Sequence, residues 1–381
     1  MNIGIIGLPK AGKTTIFNAL TGRNAEVAEY TTGKVEPNVA VVDVGDPRVD
    51  ELSRRYRPKR TIHATIEFID FVASPGAHGG TGGYGGTGGY GGTGGHGGDG
   101  DGAGLFSGEG ITLIRTSDAL LLVLRNFSNP SLDDVYGPPD PQRDLDEIEG
   151  ELILADQVVA ERRLERIGTD HQRGKKTPAS QAEEKVMRRV VEQLEAGGMV
   201  REIELSHEEE RLISGFRFLT AKNVLTVLNS SEESYGSNQE VLEQLQVRHP
   251  TIEFAGNLEM ELAGMDPEEA AAFLEDMGIS ESARDRLTRF AYRMLGYISF
   301  FTVGEDEVRA WTIREGENAQ EAAGTIHSDL AKGFIRAECF TYDDLIEAGS
   351  EQMVKQKGHL RLEGKEYRVK DGDILNIRFN V

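Results

Sequence analysis

The chain is poor in the features that hold a small secreted domain together. Only one of its 381 residues is cysteine, Cys339, which excludes an intramolecular disulfide framework and any cysteine-rich zinc site and fits a reducing compartment. Positive charge is scarce as well: 42 Lys and Arg against 64 Asp and Glu leave a formal net charge of −22. An overall basic protein that coats nucleic acid is thereby excluded, and any contact with a polyanion must use a local patch. No apolar run reaches the roughly 18 residues of a membrane span, and the apolar start is far too short for a secretory h-region, so a cytoplasmic protein with no membrane attachment is expected. The acidic surplus suits a high-salt cytosol, and solubility alone explains it equally well.

What the sequence does have is a regular succession of apolar runs. The first, Asn2 to Ile6, leads through a Gly-rich turn into a stretch where Ile16, Phe17 and Leu20 share a helix face. Further runs suited to buried parallel strands lie at Val39 to Val44, Thr65 to Phe71, Ala119 to Leu124, Val224 to Leu228 and Thr251 to Ala255. Their spacing leaves room for crossover helices, which predicts a doubly wound α/β sheet.

Three segments depart from this pattern. Residues 76–104 are low-complexity, with TGGYGG beginning at Thr81 and Thr87 and TGGHGG at Thr93, and they lack the apolar side chains to fold alone. They are expected to form a flexible insertion, in which Tyr84, Tyr90 and His96 are available for weak stacking. Residues 144–219 are rich in Glu, Arg, Leu, Ala and Val around a polar break at Gly168 to Ser180, which predicts two long helices in a hairpin. Their RR and KK pairs either touch an acidic partner or are simply solvated. From residue 299 to 381 the chain reads as a small α+β module: two strands in SFFTVGEDEVRAWTI, a helix over Ala319 to Leu330, and two terminal strands in KEYRVKDGDILNIRFNV around an Asp-Gly turn. The remainder, 1–143 with 220–298, forms the sheet domain.

Gly7-Leu8-Pro9-Lys10-Ala11-Gly12-Lys13-Thr14 matches G-x-x-x-x-G-K-[ST] in full, between a strand and a helix, and Thr15 follows on that helix. In such a loop backbone N–H groups wrap phosphates, Lys13 reaches the β and γ oxygens, and Thr14 offers its hydroxyl to Mg²⁺. Asp70, at the end of the run Glu67-Phe68-Ile69-Asp70, stands where a second Mg²⁺ contact belongs. Asn229-Ser230-Ser231-Glu232 follows another apolar run, where an N-x-x-[DE] base-reading element would sit.

With these residues in place the chain resembles the YchF/Obg-like ATPase family of translation-factor-related P-loop proteins. The resemblance is carried by GLPKAGKTTIFNALT, KVEPNVAVVDVGDPRVDEL, ELILADQVVAERRLERI, NSSEE, EVRAWTIREGENAQEAAGTIHSDLAKGFIRAE and KDGDILNIRFNV, which span nearly everything outside the Gly-rich insertion. It implies a P-loop nucleotide-binding domain, an inserted helical hairpin and a C-terminal ubiquitin-like β-grasp domain of the TGS type. It also implies ATP rather than GTP as ligand, with Mg²⁺, and a ribosome or ribosome-associated factor as partner, with no DNA. Guanine is recognised by an N-K-x-D element, whereas Ser230 and Glu232 replace its Lys and Asp here. On this reading the longer acid spoils the guanine fit and Asn229 pairs with the adenine edge.

Three departures from the family pattern bear on catalysis. Lys10 occupies a loop position where the family usually has Asn; it is either an internal counter-charge on the phosphates or an exposed side chain. The switch segment places Lys34 where a Mg²⁺-binding Thr belongs, leaving Thr31 or Thr32 to serve after a local shift. Ala73 replaces the γ-phosphate-sensing Gly, no water-orienting Gln is visible, and His78 is the candidate base. The reading is a slow or partner-stimulated ATPase that acts as a nucleotide-dependent switch; a GTPase and a hydrolysis-deficient nucleotide-binding scaffold are the alternatives.

Overall fold

A computed structural model describes residues 2–22, 37–71, 108–276 and 281–380; the Gly-rich run lies outside them. In chain order the strands are β1 Asn2–Ile6, β2 Asn38–Val44, β3 Arg60–Ile62, β4 Ala64–Asp70, β5 Ala119–Asn126, β6 Asn223–Ser230, β7 Thr251–Phe254, β8 Tyr297–Thr302, β9 Glu307–Arg314, β10 Phe334–Thr341, β11 Arg361–Glu363 and β12 Asp373–Phe379. The chain divides into two compact units, one of Met1–Val39 with Ile69–Met260 and one of Ala40–Phe68 with Glu261–Val381.

In the first unit β1, β5, β6 and β7 run parallel in that order. Their sequences are continuous rather than alternating in hydrophobicity because helices cover both faces, and Ile3, Ile5, Ile6 and every residue from Leu120 to Leu124 are almost wholly buried. The helix Lys13–Thr21 follows β1 after one loop and buries Ile16, Phe17 and Leu20, as the periodicity predicts. The doubly wound α/β reading therefore holds.

The hairpin is made by helices Pro141–Gln172 and Pro178–Glu195. Each starts with proline at its first position behind a side-chain cap: Asp140 accepts from the Arg143 N–H, and Thr177 exchanges bonds with Ser180 in a capping box. The first helix begins earlier than expected and runs through Gly168 to Gln172, because Ile167 is buried and holds that turn in place; the break shrinks to residues 173–177. Leu145, Ile148 and Leu152 pack on Leu122 and Leu124 of β5. Asp156 then anchors the helix: fully buried, it accepts from Arg115 at 2.7 Å and from the Thr220 N–H and hydroxyl at 2.7 Å each. A buried carboxylate is tolerated because its oxygens are bonded and its charge is paired. Beyond it Ala160, Val186, Met187, Val190 and Leu194 form a core of the hairpin's own.

In the second unit the strand order is β11-β10-β12-β8-β9-β3. β8 pairs antiparallel with β9, β10 antiparallel with β11 and β12, and β12 parallel with β8, so the first five strands have β-grasp order. Helix Ala319–Ile326 lies on this sheet through Ala319, Ala322 and Ala323, against Phe300, Ala337 and Leu375. Three expectations are corrected. The helix does not continue to Leu330: it breaks at the extended His327, whose side chain caps a separate short helix Ser328–Lys332. Residues 365–369 form no strand, because Tyr367 and Val369 bond backbone to backbone with Ala319 and Glu317 beside the helix start, leaving a single bridge between Asn318 and Arg368. The place beside β10 is taken by β11 instead, and β3 extends the sheet next to β9; both strands have three residues, too few for periodicity to show. Among the described residues no helix is long and apolar enough to cross a membrane.

Candidate nucleotide site

The loop between β1 and its helix is shaped by two glycines. A Cβ on Gly7 would lie 2.5 Å from the Val123 carbonyl oxygen of β5, so only glycine lets the loop rest on the neighbouring strand. Gly12 has φ of 99°, and a Cβ there would lie 2.1 Å from Asn229 Nδ2. Between them the Ala11 N–H donates to the Leu8 carbonyl at 3.3 Å, and Ala11 is buried. Lys10 also adopts a left-handed backbone, φ 65°, at a cost of roughly 1–2 kcal/mol that an asparagine would largely avoid. Its side chain is exposed. Helix Lys13–Thr21 has no side-chain cap at its start and no acidic residue in its first turn, which leaves the amides of Lys13, Thr14 and Thr15 for an anion.

Lys13 Nζ donates to the carbonyls of Gly7 and Leu8 at 2.9 Å each. Burial lowers its pKa to about 8; the Asp70 carboxylate opposes that shift and the Lys10 charge adds to it. Thr14 donates its hydroxyl to Asp70 Oδ2 at 3.0 Å. Asp70, at the end of β4, is 1% exposed, and burial raises its pKa against the pull of the Thr14 bond and the Lys13 charge. Its other oxygen, Oδ1, is buried without a hydrogen bond of good geometry among the described residues, although the Asn38 amide stands near enough to favour the carboxylate. An unsatisfied carboxylate oxygen beside a threonine hydroxyl is a donor set that fits Mg²⁺, a hard cation that takes one or two protein oxygens and completes its shell with phosphates and water. Among the described residues there is no cluster of three or more His, Cys, Asp or Glu that would cage a metal by itself.

Toward the base end the structure gives Asn229 a role that its place in the sequence does not announce. Its side chain is 4% exposed and bonded at both ends to backbone: Nδ2 donates to the Ala11 carbonyl at 3.0 Å and Oδ1 accepts from the Gly256 N–H at 3.2 Å. It staples the phosphate loop to the segment after β7, and one amide N–H and one carbonyl lone pair stay uncommitted. Ser230 is buried too, donating to Glu253 Oε1 at 2.7 Å and accepting from Asn126 at 3.0 Å. Glu253 also accepts from Asn238 at 2.6 Å and from the Gly236 N–H at 3.0 Å, so one carboxylate sets the path of the loop that carries the exposed Glu232.

Lys10, Lys13, Thr14, Asp70 and Asn229 thus gather around one loop, and Thr15 packs toward Gly256 at its back. Leu8 and Pro9 are half-buried on the loop itself. Thr32 and His78, like Thr31, Lys34 and Ala73, lie outside the described residues. Sequence reasoning missed three contributors: Phe127, whose half-buried ring lies 4.0 Å from where a Gly12 Cβ would be, Glu253 and Gly256. The isolated acid in the apolar run Thr251 to Ala255 was the one visible signal.

Comparison with known proteins places these features in context. Residues 2–89 match the family model described as 50S ribosome-binding GTPase, and residues 297–380 match that of the YchF GTPase C-terminus, described as a protein of unknown function. The chain is 36% identical to the ribosome-binding ATPase YchF of Bacillus subtilis over the full length of both. It is 36% identical to that of Escherichia coli O157:H7, with 99% of each covered. The solved structure of the Schizosaccharomyces pombe YchF GTPase superposes with a TM-score of 0.80 at 29% identity, covering 99% of this chain and 97% of that one.

Proposed function

The chain belongs to the YchF family, and from that premise we propose that it binds Mg²⁺–ATP and acts as a slow or partner-stimulated ATPase whose nucleotide state governs its association with the ribosome in the cytoplasm. The observation that carries this reading is the Lys13, Thr14 and Asp70 group, in which a buried carboxylate oxygen is left over beside the threonine hydroxyl. Thr14 and Asp70 would hold Mg²⁺, which when bound neutralises charge on the β and γ phosphates. Lys13 would exchange its two carbonyl partners for phosphate oxygens, and the first amides of the helix would bond the phosphate chain. Lys10, exposed on the rim, would add a cation there.

ATP is favoured over GTP because Glu232 stands where guanine recognition uses the shorter Asp, and because Ser230 is held by Glu253 instead of offering a lysine stem to the base. Phe127, beside Gly12, is the apolar surface for the base. A GTPase remains the second reading, on the strength of the match to a GTPase family model over residues 2–89. Calorimetric titration with ATP and GTP, with and without Mg²⁺, decides between them: tighter ATP binding that weakens without Mg²⁺ is expected, and tighter GTP binding overturns the assignment. Single-turnover hydrolysis with and without ribosomes separates a switch from a hydrolysis-deficient scaffold.

A further inference from the structure

The hairpin's far end carries charge that the rest of the molecule does not explain. Arg162 and Arg166 are exposed one turn apart on the first helix, and Arg173, also exposed, caps its C-terminal end. Lys175 and Lys176 follow in the connecting turn, and from His171 to Ala182 there is no Asp or Glu. Other arginines of the hairpin are neutralised in place. Arg163 bonds Glu183 at 2.6 and 2.7 Å, Arg188 bonds Glu184 at 2.6 Å, and Arg189 bonds Glu209 at 2.9 Å. Among the described residues Arg162, Arg166, Arg173 and Lys176 have no carboxylate within ion-pair distance, and Lys175 reaches only Asp170, at 4.0 Å. In a chain with 64 acidic residues against 42 basic ones, four cations without an ion-pair partner beside a fifth at the limit of pairing run against composition, even with Glu184 near enough to feel the Lys176 charge.

The turn that presents them is ordered. The Arg173, Gly174 and Lys175 N–H groups donate to the carbonyls of Thr169, His171 and Asp170, with Gly174 in the left-handed conformation at φ 79°. His171 ties the two helices together, bonding the Ser180 hydroxyl at 2.7 Å and lying 3.3 Å from Glu184. A turn ordered in this way loses little backbone freedom when it meets a ligand, so only the side chains remain to be ordered. Sixteen residues separate Gln172 from Asp156, the buried anchor of this helix in the sheet domain, which is about 24 Å of helix. That exceeds a Debye length of roughly 8–10 Å at moderate salt, so the field of the acidic sheet domain does not cancel the tip.

We propose that the hairpin tip, through Arg173, Lys175 and Lys176 with Arg166 and Arg162 behind them, binds the phosphodiester backbone of RNA. The inference rests on the ribosome-associated reading for its biological partner, and names RNA rather than protein as what this surface touches. Phosphates repeated along a strand suit cations set in sequence along a helix end and its turn, and a contact of this kind is insensitive to base sequence.

The test compares the full-length chain with the triple variant Arg173→Gln, Lys175→Gln, Lys176→Gln, whose positions are exposed and outside the nucleotide site. Circular dichroism and ATP affinity, both expected to be unchanged, verify that the variant folds. Binding is then measured against ribosomes and against protein-free ribosomal RNA over about 50–200 mM salt. A loss of tenfold or more on both probes at low salt is expected, with the slope of log affinity against log salt shallower by about 2–3. Unchanged affinity for the RNA overturns the inference, and a loss on ribosomes alone overturns it in favour of an acidic protein surface. Wild-type chain that binds the RNA but not ribosomes defeats the ribosome-associated reading, while the RNA arm still decides the tip.

Discussion

The phosphate end and the base end of the nucleotide site are built on different plans. At the phosphate end the working groups are consecutive: Gly7 to Thr14 supply backbone, ammonium and hydroxyl, with a single distant residue, Asp70, closing the arrangement. At the base end nothing is local. Asn229 bonds a carbonyl 218 positions earlier and an N–H 27 positions later, while Ser230, Asn126, Asn238 and Glu253 form a network drawn from the ends of β5 and β6, from β7 and from one loop. The difference teaches that phosphate recognition is a property of one strand–loop–helix unit, whereas base recognition is a property of how the sheet brings loop ends together.

The largest effect should come from the phosphate end. Lys13→Ala and Thr14→Ala each remove a group aimed at phosphate or Mg²⁺ while leaving the buried face of Ile16, Phe17 and Leu20 intact. Triphosphate affinity is expected to fall at least 100-fold in either variant, with little change in melting temperature. Calorimetry showing near-wild-type affinity for both would break the comparison at its first step.

Asn229→Ala tests whether the base end acts through the phosphate loop. The substitution orphans the Ala11 carbonyl and the buried Gly256 N–H, at a cost of about 1–3 kcal/mol for each unsatisfied group. A lower melting temperature is expected, with ATP and GTP affinities reduced by the same factor, since what is lost is the staple. A selective loss of ATP would show that the side chain also reads adenine.

These two cases also show how much of the molecule was legible in advance. The loop was legible because its chemistry is contiguous, and β1, β5 and β6 because buried parallel strands are uninterrupted apolar runs. The helical hairpin announced itself by composition, although its turn is tighter than the polar residues suggested, since Ile167 is buried. Asn229 was legible as a candidate base reader but not as a staple of the phosphate loop, because sequence does not say which backbone groups converge on a side chain. β3 and β11 were invisible at three residues each, and residues 365–369 resemble a strand in composition while their backbone bonds go to Glu317 and Ala319.

A smaller effect follows from Lys13. Its pKa is about 8 in the folded chain, lowered by burial, and a phosphate bound to it favours the charged form. Above about pH 8 binding must therefore take up a proton, so ATP affinity is expected to be level from pH 7 to 8 and to fall by up to tenfold per unit above that. The sign for stability is the reverse. The unfolded chain keeps this proton up to an ordinary lysine value near 10.5, so it binds more protons between about pH 8 and 10.5, and this group's contribution to stability rises with pH across that window. Calorimetry in buffers of different ionisation enthalpy measures the proton uptake directly; none at pH 9 would mean that Lys13 stays charged without ligand.

The smallest effect, and the one that separates the two ends most cleanly, concerns the base itself. Glu232 is exposed, so Glu232→Asp shortens the side chain by one methylene without touching the core. If the longer acid disfavours guanine by misplacing its two oxygens, the shorter one should raise GTP affinity relative to ATP several-fold, within the roughly 1–3 kcal/mol that a good bidentate contact to a base edge supplies. Adding Ser230→Lys should increase the ratio further but lower the melting temperature. Ser230 is 4% exposed and donates to Glu253, and a lysine there must displace that bond together with the one accepted from Asn126. The single variant is therefore the test of recognition, and the double variant the test of how firmly Glu253 fixes the loop. Phosphate contacts are identical for both nucleotides, so any change in the ATP-to-GTP ratio reports on the base end alone. A ratio unmoved by Glu232→Asp would mean that base preference is set by the pocket wall near Phe127, and the division between a local phosphate end and an assembled base end would have to be redrawn around that residue.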